Sequence, residues 1–202
     1  MNLAKMQIPN GVRYMRMYPV CSICLATIGV CVFRCVRLRL YALFYFWRNP
    51  MDIYRVTFLG HRRISAGSME ADKQIEQIAR DLILQKEYVE FYVGRNGDFD
   101  ILAASAIKRA QKSVGNQNSS LILALPYPVK DLEYYKNYYD EILFPVDPKT
   151  HFKAAITKRN QWMIQNSALL IAFVQENKGN SYLGIKYAEK IGIQVINLGI
   201  EN

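Results

Sequence analysis

From residue 51 onward, short apolar runs alternate with segments of helical periodicity, and no other feature constrains the fold of this chain as tightly. Residues 54–59 (YRVTFL) read as a strand that ends at Gly60. Residues 70–86 place Ile75, Ile78, Ala79, Leu82 and Ile83 on one helical stripe. A second strand, 89–93 (VEFYV), ends at Gly94. Asp98 stands where it would cap the next helix, with Ile101, Leu102, Ala104, Ser105 and Ile107 turned inward. Residues 120–125 (SLILAL) form a third strand, stopped by Pro126. A short helix at 132–137, a strand at 141–144, a helix at 152–165, a strand at 168–174 (ALLIAFV), a helix at 182–190 and a strand at 194–198 complete the series. Strands that are apolar throughout are buried on both faces, and the helices between them supply the cover. The expected fold class is therefore α/β, a three-layer αβα sandwich around a mostly parallel sheet with right-handed crossovers.

The net charge of +9 invites a nucleic-acid reading, but the charge is unevenly placed. Residues 1–50 hold seven basic and no acidic side chains, whereas residues 51–202 hold 19 basic and 17 acidic, a net of +2. The domain therefore lacks the basic footprint of a phosphate-backbone binder, and no nucleic-acid partner is expected for it. All four cysteines (Cys21, Cys24, Cys31, Cys35) also lie in residues 1–50. A cysteine-free domain needs no disulfides and suits a reducing, cytoplasmic compartment.

Residues 1–50 read as foreign to the domain. Their two apolar runs, 19–33 and 40–47, are separated by arginines and fall short of the roughly 20 residues that span a bilayer. A membrane-surface segment, a cleaved signal peptide and a zinc site on the cysteine pairs all compete with the favoured reading, in which translation starts at Met51. Membrane contact is expected only through this segment, and 51–202 is expected to be the functional domain.

In an open parallel sheet a ligand sits outside the carboxyl ends of the strands. Three such ends carry unusual chemistry. Gly60-His61-Arg62-Arg63 joins a glycine to basic residues suited to phosphate or carboxylate. Gly94-Arg95-Asn96-Gly97-Asp98-Phe99-Asp100 opens a helix whose free N–H groups could hold an anion, with Asp98 the cap and Asp100 within reach of a ribose hydroxyl. Glu176-Asn177-Lys178-Gly179-Asn180-Ser181 offers N–H and hydroxyl donors at Gly179 and Ser181. Each loop alone also reads as an ordinary turn; their coincidence at three carboxyl ends is the stronger argument. On the 152–165 helix, Lys158, Arg159 and Asn160 are further candidates for the same crevice, although a helical Lys-Arg pair commonly marks a solvated face. The candidate ligand-binding set is Gly60, His61, Arg62, Gly94, Arg95, Gly97, Asp98, Arg159, Gly179 and Ser181. Asp98, Asp100 and Glu176 are the carboxylates available for catalysis. No metal site and no cofactor are expected.

The stretches TFLGHRR, FYVGRNGDFD and SALLIAFVQENKGNSYLGIKYAEKIGIQVINL together resemble the SLOG superfamily, over about residues 53–198. That group includes the DprA (SMF) proteins and the LOG phosphoribohydrolases; the likeness is to its small bacterial and phage branch, the YpsA- and YoqJ-like proteins. The resemblance implies a Rossmann-like fold that binds nucleotides or nucleotide-derived ligands. It implies that Gly60, His61 and Arg62 form one side of the pocket, Gly94, Gly97 and Asp98 another, and Gly179 and Ser181 the phosphate side. One departure matters: the enzymes carry Pro-Gly-Gly-x-Gly-Thr-x-x-Glu at the last loop, and Gly184 stands here in place of the glutamate.

The expected function is thus binding or sensing of a nucleotide-type small molecule, regulatory and non-catalytic. The alternatives are hydrolysis of a nucleotide N-glycosidic bond and DNA binding in the manner of DprA. The tyrosines of 134–139 (YYKNYY), with Tyr127, read as a base-stacking platform, as rings packed on the sheet, or as part of an oligomer interface. A homo-oligomer is expected.

Overall fold

The computed structural model describes residues 51–64, 67–130 and 132–199; the readings made for residues 1–50 lie outside the described residues. Six strands form one sheet: β1 (Ile53–Gly60), β2 (Tyr88–Val93), β3 (Ser119–Ala124), β4 (Glu141–Leu143), β5 (Leu169–Phe173) and β6 (Gln194–Asn197). Their order is β4-β3-β2-β1-β5-β6, and every pairing is parallel. Five helices connect them: α1 (Ser68–Gln85), α2 (Asp98–Val114), α3 (Leu132–Lys136), α4 (Phe152–Gln165) and α5 (Gly179–Lys190).

The core explains the layers. Ala71, Ile75, Ala79 and Ile83 of α1 and Phe99, Ala103, Ala106 and Ile107 of α2 close over Val56, Phe58, Phe91 and Leu121 on one face of the sheet. On the other face, Met163 and Ile164 of α4 and Ile185 and Ala188 of α5 cover Tyr92, Ile122, Leu170 and Ala172. Both faces of the central strands are therefore shielded from water, as continuous apolar runs require. The fold is the expected α/β, Rossmann-like sandwich, with a sheet that is parallel throughout. Among the described residues, no helix is long and apolar enough to cross a membrane.

Three local expectations change. In α2, Ile101 is 61% exposed, and the inward face is set by Phe99, Ala103, Ala104, Ala106, Ile107 and Ala110; alanines pack close to the sheet and fix a phase that larger apolar residues had obscured. Asp98 is not the cap of α2: it is the first helical residue, and the N-cap is Gly97. Helix α5 begins at Gly179, three residues before the apolar stripe makes it visible.

The chain runs outward from β1 through β2, β3 and β4, then returns to lay β5 against the opposite edge of β1. The β1–β5 junction is the point where strand order reverses. Loops leaving β1 and β5 there part to opposite faces, which opens a crevice at their carboxyl ends.

Candidate functional site

A cavity of about 280 Å3 lies at that junction. Leu59, Gly60, His61 and Arg62 line it from β1; Asn96, Gly97 and Asp100 from the β2 loop; Ile156, Arg159 and Asn160 from α4; and Lys178, Gly179, Asn180 and Ser181 from the start of α5.

The loops are locked together by hydrogen bonds. Beyond Gly60, the His61 N–H donates to Phe173 O (3.2 Å), which carries the β1–β5 pairing one residue further. The His61 imidazole Nε2 accepts the Gln175 N–H at 2.9 Å, so the bonding pattern places the ring proton on Nδ1. Ser181 Oγ donates to Gly60 O at 2.6 Å and ties the first turn of α5 to the end of β1. Arg62 accepts the Asp98 N–H at its carbonyl (2.9 Å) and donates from Nε to Asn96 O (3.3 Å), which joins the β1 loop to the β2 loop.

Asp100 takes the structural role expected of Asp98. Its Oδ2 accepts the Asn96 N–H at 2.7 Å and its carboxylate is also bonded by the Gly97 N–H, so it reaches back over the first turn of α2 as the acidic half of a capping box. Asp100 is 8% exposed, and burial pushes its carboxyl above the usual carboxylate range, against the pull of Arg159 and the two N–H groups. Asp98 is exposed, lies outside the cavity, and accepts the Ile64 N–H at 3.4 Å. Glu176 also stays outside: it is exposed and paired with Lys178 at 2.7 Å, and that cation lowers its pKa.

Arg159 is the least expected member. It is 2% exposed, and its Nη1 donates to Ala124 O at 3.0 Å. Gly94 makes room for it, since a Cβ there would stand 2.3 Å from Nη1 and 2.7 Å from Asp100 Oδ2. Gly94 is thus a floor beneath the Arg159–Asp100 couple rather than a wall of the cavity. Burial lowers the guanidinium pKa and Asp100 opposes that, yet an arginine stays charged in either case. Its Nε and the Oδ1 of the neighbouring Asn160, itself 8% exposed, are buried without a hydrogen-bond partner among the described residues. Lys158, by contrast, faces solvent and donates to Thr150 Oγ1.

The N-terminus of α5 lines the same cavity as Arg159. Its N-cap Lys178 makes no side-chain cap bond, its first turn has no acidic residue, and the backbone N–H groups of Gly179, Asn180 and Ser181 have no bond among the described residues. Gly179 enters the helix at φ 89°, a left-handed conformation that disfavours any side chain. Free N–H groups and the helix dipole favour an anion there, and the buried Arg159 cation lines the same cavity. Arg95 is turned elsewhere, its guanidinium 4.8 Å from the Tyr135 ring centroid.

Of the sequence candidates, Gly60, His61, Arg62, Gly97, Asp100, Arg159, Asn160, Gly179 and Ser181 thus meet in one cavity. Asn96, Lys178 and Asn180 join them without having been singled out, although all three lie in the quoted loops, where a polar side chain beside glycine is the available signal. Among the described residues no group of three or more His, Cys, Asp or Glu could hold a metal ion.

No protein-family model matches the chain, and no curated protein does. Solved structures do. The chain is similar to DNA processing protein A from Helicobacter pylori, described for its single-stranded DNA binding mode (TM-score 0.51, 18% identity, 71% of this chain covered), and spans 64% of that protein. It is also similar to the molybdenum cofactor carrier protein of Chlamydomonas reinhardtii (TM-score 0.49, 13% identity, 74% of this chain and 79% of that one). At these identities what is shared is the fold.

Proposed function

We propose that this protein binds a nucleotide or nucleotide derivative through an anionic group held between Arg159 and the N-terminus of α5, and that it does so as a regulatory, non-catalytic module. The carrying observation is Arg159 itself. A buried guanidinium with an unpaired Nε costs folding free energy, and its place beside the cavity gives that cost a use if a phosphate completes its bonding. Asn160 adds an unpaired acceptor for a ligand hydroxyl or amine. Residues Gly60, His61, Gly97 and Ser181 then form the frame that holds the two anion-binding elements apart.

Asp100 supports a second reading, N-glycosidic hydrolysis, because it is the one sequence-nominated carboxylate in the cavity and its raised pKa suits a general acid. Calorimetric titration of the full chain with AMP, ADP and ADP-ribose, with chromatography of each mixture for free base, separates the readings. Saturable binding without base release is expected. Steady base release transfers the protein to the hydrolase reading, and no binding of any of the three at millimolar concentration removes both.

A further inference from the structure

The N–H groups that open α5 hang from the end of β1. Among the described residues, Gln175 is the one member of segment 175–180 hydrogen-bonded to a different strand or loop, through its N–H to His61 Nε2 at 2.9 Å. The Lys178 N–H and the Lys178 side chain both return to Glu176 within the segment. On either side the chain is pinned. Val174 exchanges two bonds of 2.9 Å with the Asn197 side chain, and Ser181 Oγ donates to Gly60 O. Gly179, Asn180 and Ser181 therefore lie between two anchors, His61 and Gly60, that are neighbours in the chain.

The His61 anchor differs from the other in chemistry. An imidazole accepts a hydrogen bond only while one nitrogen carries no proton. A second proton on His61 would go to Nε2 and set two N–H donors against each other, so the bond to Gln175 does not survive it. Histidine is the side chain whose ordinary charge change falls between pH 5 and 8. The charged groups around His61 are Arg62, next in the chain; Glu176 of the β5 loop, which interacts with it electrostatically; and Lys178, Asp100 of α2 and Arg159 of α4, which line the same cavity. A charged His61 would attract an anion more strongly. Asp100, whose carboxyl is pushed up by burial, would shed negative charge on taking a proton, and that also favours an anion. Electrostatics alone therefore predicts tighter anion binding in acid, and loss of the His61–Gln175 bond predicts the reverse. The chain's second histidine gives an internal contrast: His151 Nδ1 accepts the Lys153 N–H at 3.3 Å, which leaves its proton on Nε2.

We infer that His61 is a positioning residue for the anion site: in its neutral, Nδ1–H form it holds Gln175 and so fixes the entrance to α5, and its protonation releases that loop and weakens anion binding. The inference rests on the anion reading above. It makes the cleft sensitive to pH, with binding favoured at neutral pH and weakened in mild acid. It also has His61 act through the backbone of Gln175 rather than by touching the ligand.

The test uses ADP-ribose, whose phosphates keep the same charge from pH 8 to pH 5.5, so that any change belongs to the protein. Calorimetry on the full chain should show affinity falling about three- to tenfold across that range, the loss of one hydrogen bond. Glutamine offers an acceptor in place of Nε2 without taking a proton, so His61→Gln should have the same affinity at both pH values, whatever its level. His61→Ala should already bind at pH 8 as weakly as the wild type does at pH 5.5. Nitrogen NMR of the wild-type side chains needs neither ligand nor variant: at pH 8 His61 should be the Nδ1–H tautomer and His151 the Nε2–H tautomer, and the Gln175 amide should shift as His61 takes its second proton. Wild-type affinity that holds or rises in acid, an Nε2–H tautomer at His61, wild-type affinity in His61→Ala at pH 8, or a His61→Gln affinity that falls with pH as the wild type's does each overturns the positioning role and leaves the anion site standing. If ADP-ribose does not bind at pH 8, the anion site falls and takes the positioning role with it.

Discussion

Replacing Arg159 with methionine separates a binding residue from a structural one, because the two roles predict opposite balances of stability and affinity. The substitution removes the Nη1 bond to Ala124 O; a hydrogen bond involving a charged group contributes about 1.5–3 kcal/mol. It also removes a cation that is 2% exposed and whose Nε has no partner. An unsatisfied buried donor costs about 1–3 kcal/mol, and the desolvated charge adds to that. Asp100 loses its counter-charge but keeps the Asn96 N–H, and its carboxyl, already pushed up by burial, can take a proton. Methionine fills most of the same volume. The opposing effects are of similar size, so the stability of Arg159→Met should stay within about 1 kcal/mol of the wild type. Affinity for ADP should fall about ten- to hundredfold, the loss of one charge-assisted phosphate contact. Urea unfolding followed by fluorescence, where Trp162 packs on Tyr92 with ring centroids 5.6 Å apart, reads the first quantity, and calorimetry reads the second. A variant destabilised by more than about 3 kcal/mol that still binds ADP at wild-type strength would refute this reasoning and make Arg159 a structural cation only.

Gly60→Ala places a Cβ 2.3 Å from Cγ of Phe99, a residue with no exposed surface, so it should lower stability by about 1–3 kcal/mol, read as a drop in melting temperature. Ser181→Ala removes the hydroxyl bond to Gly60 O and should cost about 1 kcal/mol while it loosens the first turn of α5; a loss of ADP affinity without any change in unfolding would show that the hydroxyl serves the ligand instead. Glu76 of α1 is bonded by Arg109 of α2 at 2.7 Å and by Arg80 at 2.5 Å, and these side chains hold its carboxyl below the ordinary value of 4.5. Because the folded value is depressed, its stabilisation is complete above pH 4.5 and is lost as pH falls through the lowered value. Glu76→Gln should therefore cost about 0.5–1 kcal/mol at pH 7, less in high salt, and nothing at the acid end of a urea-denaturation series.

Much of this arrangement was written in local pattern. Apolar runs such as LLIAF and FYV announce strands buried on both faces, and the Ile75–Ile83 stripe announces α1. The rule that ligands collect at carboxyl ends brings the three glycine-containing loops together from sequence alone. What local pattern cannot carry is phase and partnership. Helix α2 packs through alanines, so apolar size alone points Ile101 inward although it faces solvent. Helix α5 starts in Gly-Asn-Ser, which has no apolar period, and the bond from Ser181 to Gly60 O ties its first turn to the end of β1. In α4, Arg159 lies on the buried stripe with Ala155 and Met163 whereas Lys158 does not, and the room for the Arg159 guanidinium comes from Gly94, 65 positions away in the chain. Asp100 takes the capping bonds expected of Asp98 for a related reason. Both stand in the first turn of α2, but the turn of the β2 loop aims the N–H groups of Asn96 and Gly97 at Asp100.

The same geometry bears on whether this cleft can break a glycosidic bond. Such a reaction needs a carboxyl group placed to protonate the departing base or to stabilise the cationic sugar. The position where the SLOG resemblance implies a glutamate is Gly184, and a Cβ there would lie 2.7 Å from Cδ1 of Leu59, itself 4% exposed. The space is occupied by packing between α5 and β1, so the chain has closed that position rather than merely emptied it. Among the nominated carboxylates, only Asp100 remains in the cavity, and it is engaged: it caps α2 and sits against Arg159 above Gly94. To donate a proton it would have to release the N–H groups that define the β2 loop. Its raised pKa is the direction a general acid needs, which makes Asp100→Asn decisive. The variant keeps an acceptor for the Asn96 N–H but cannot titrate. If the wild type releases base, Asp100→Asn should abolish the release with nucleotide affinity largely retained. Release that survives the substitution would mean that the bond is broken by a group outside this arrangement, and neither reading of the cleft would stand.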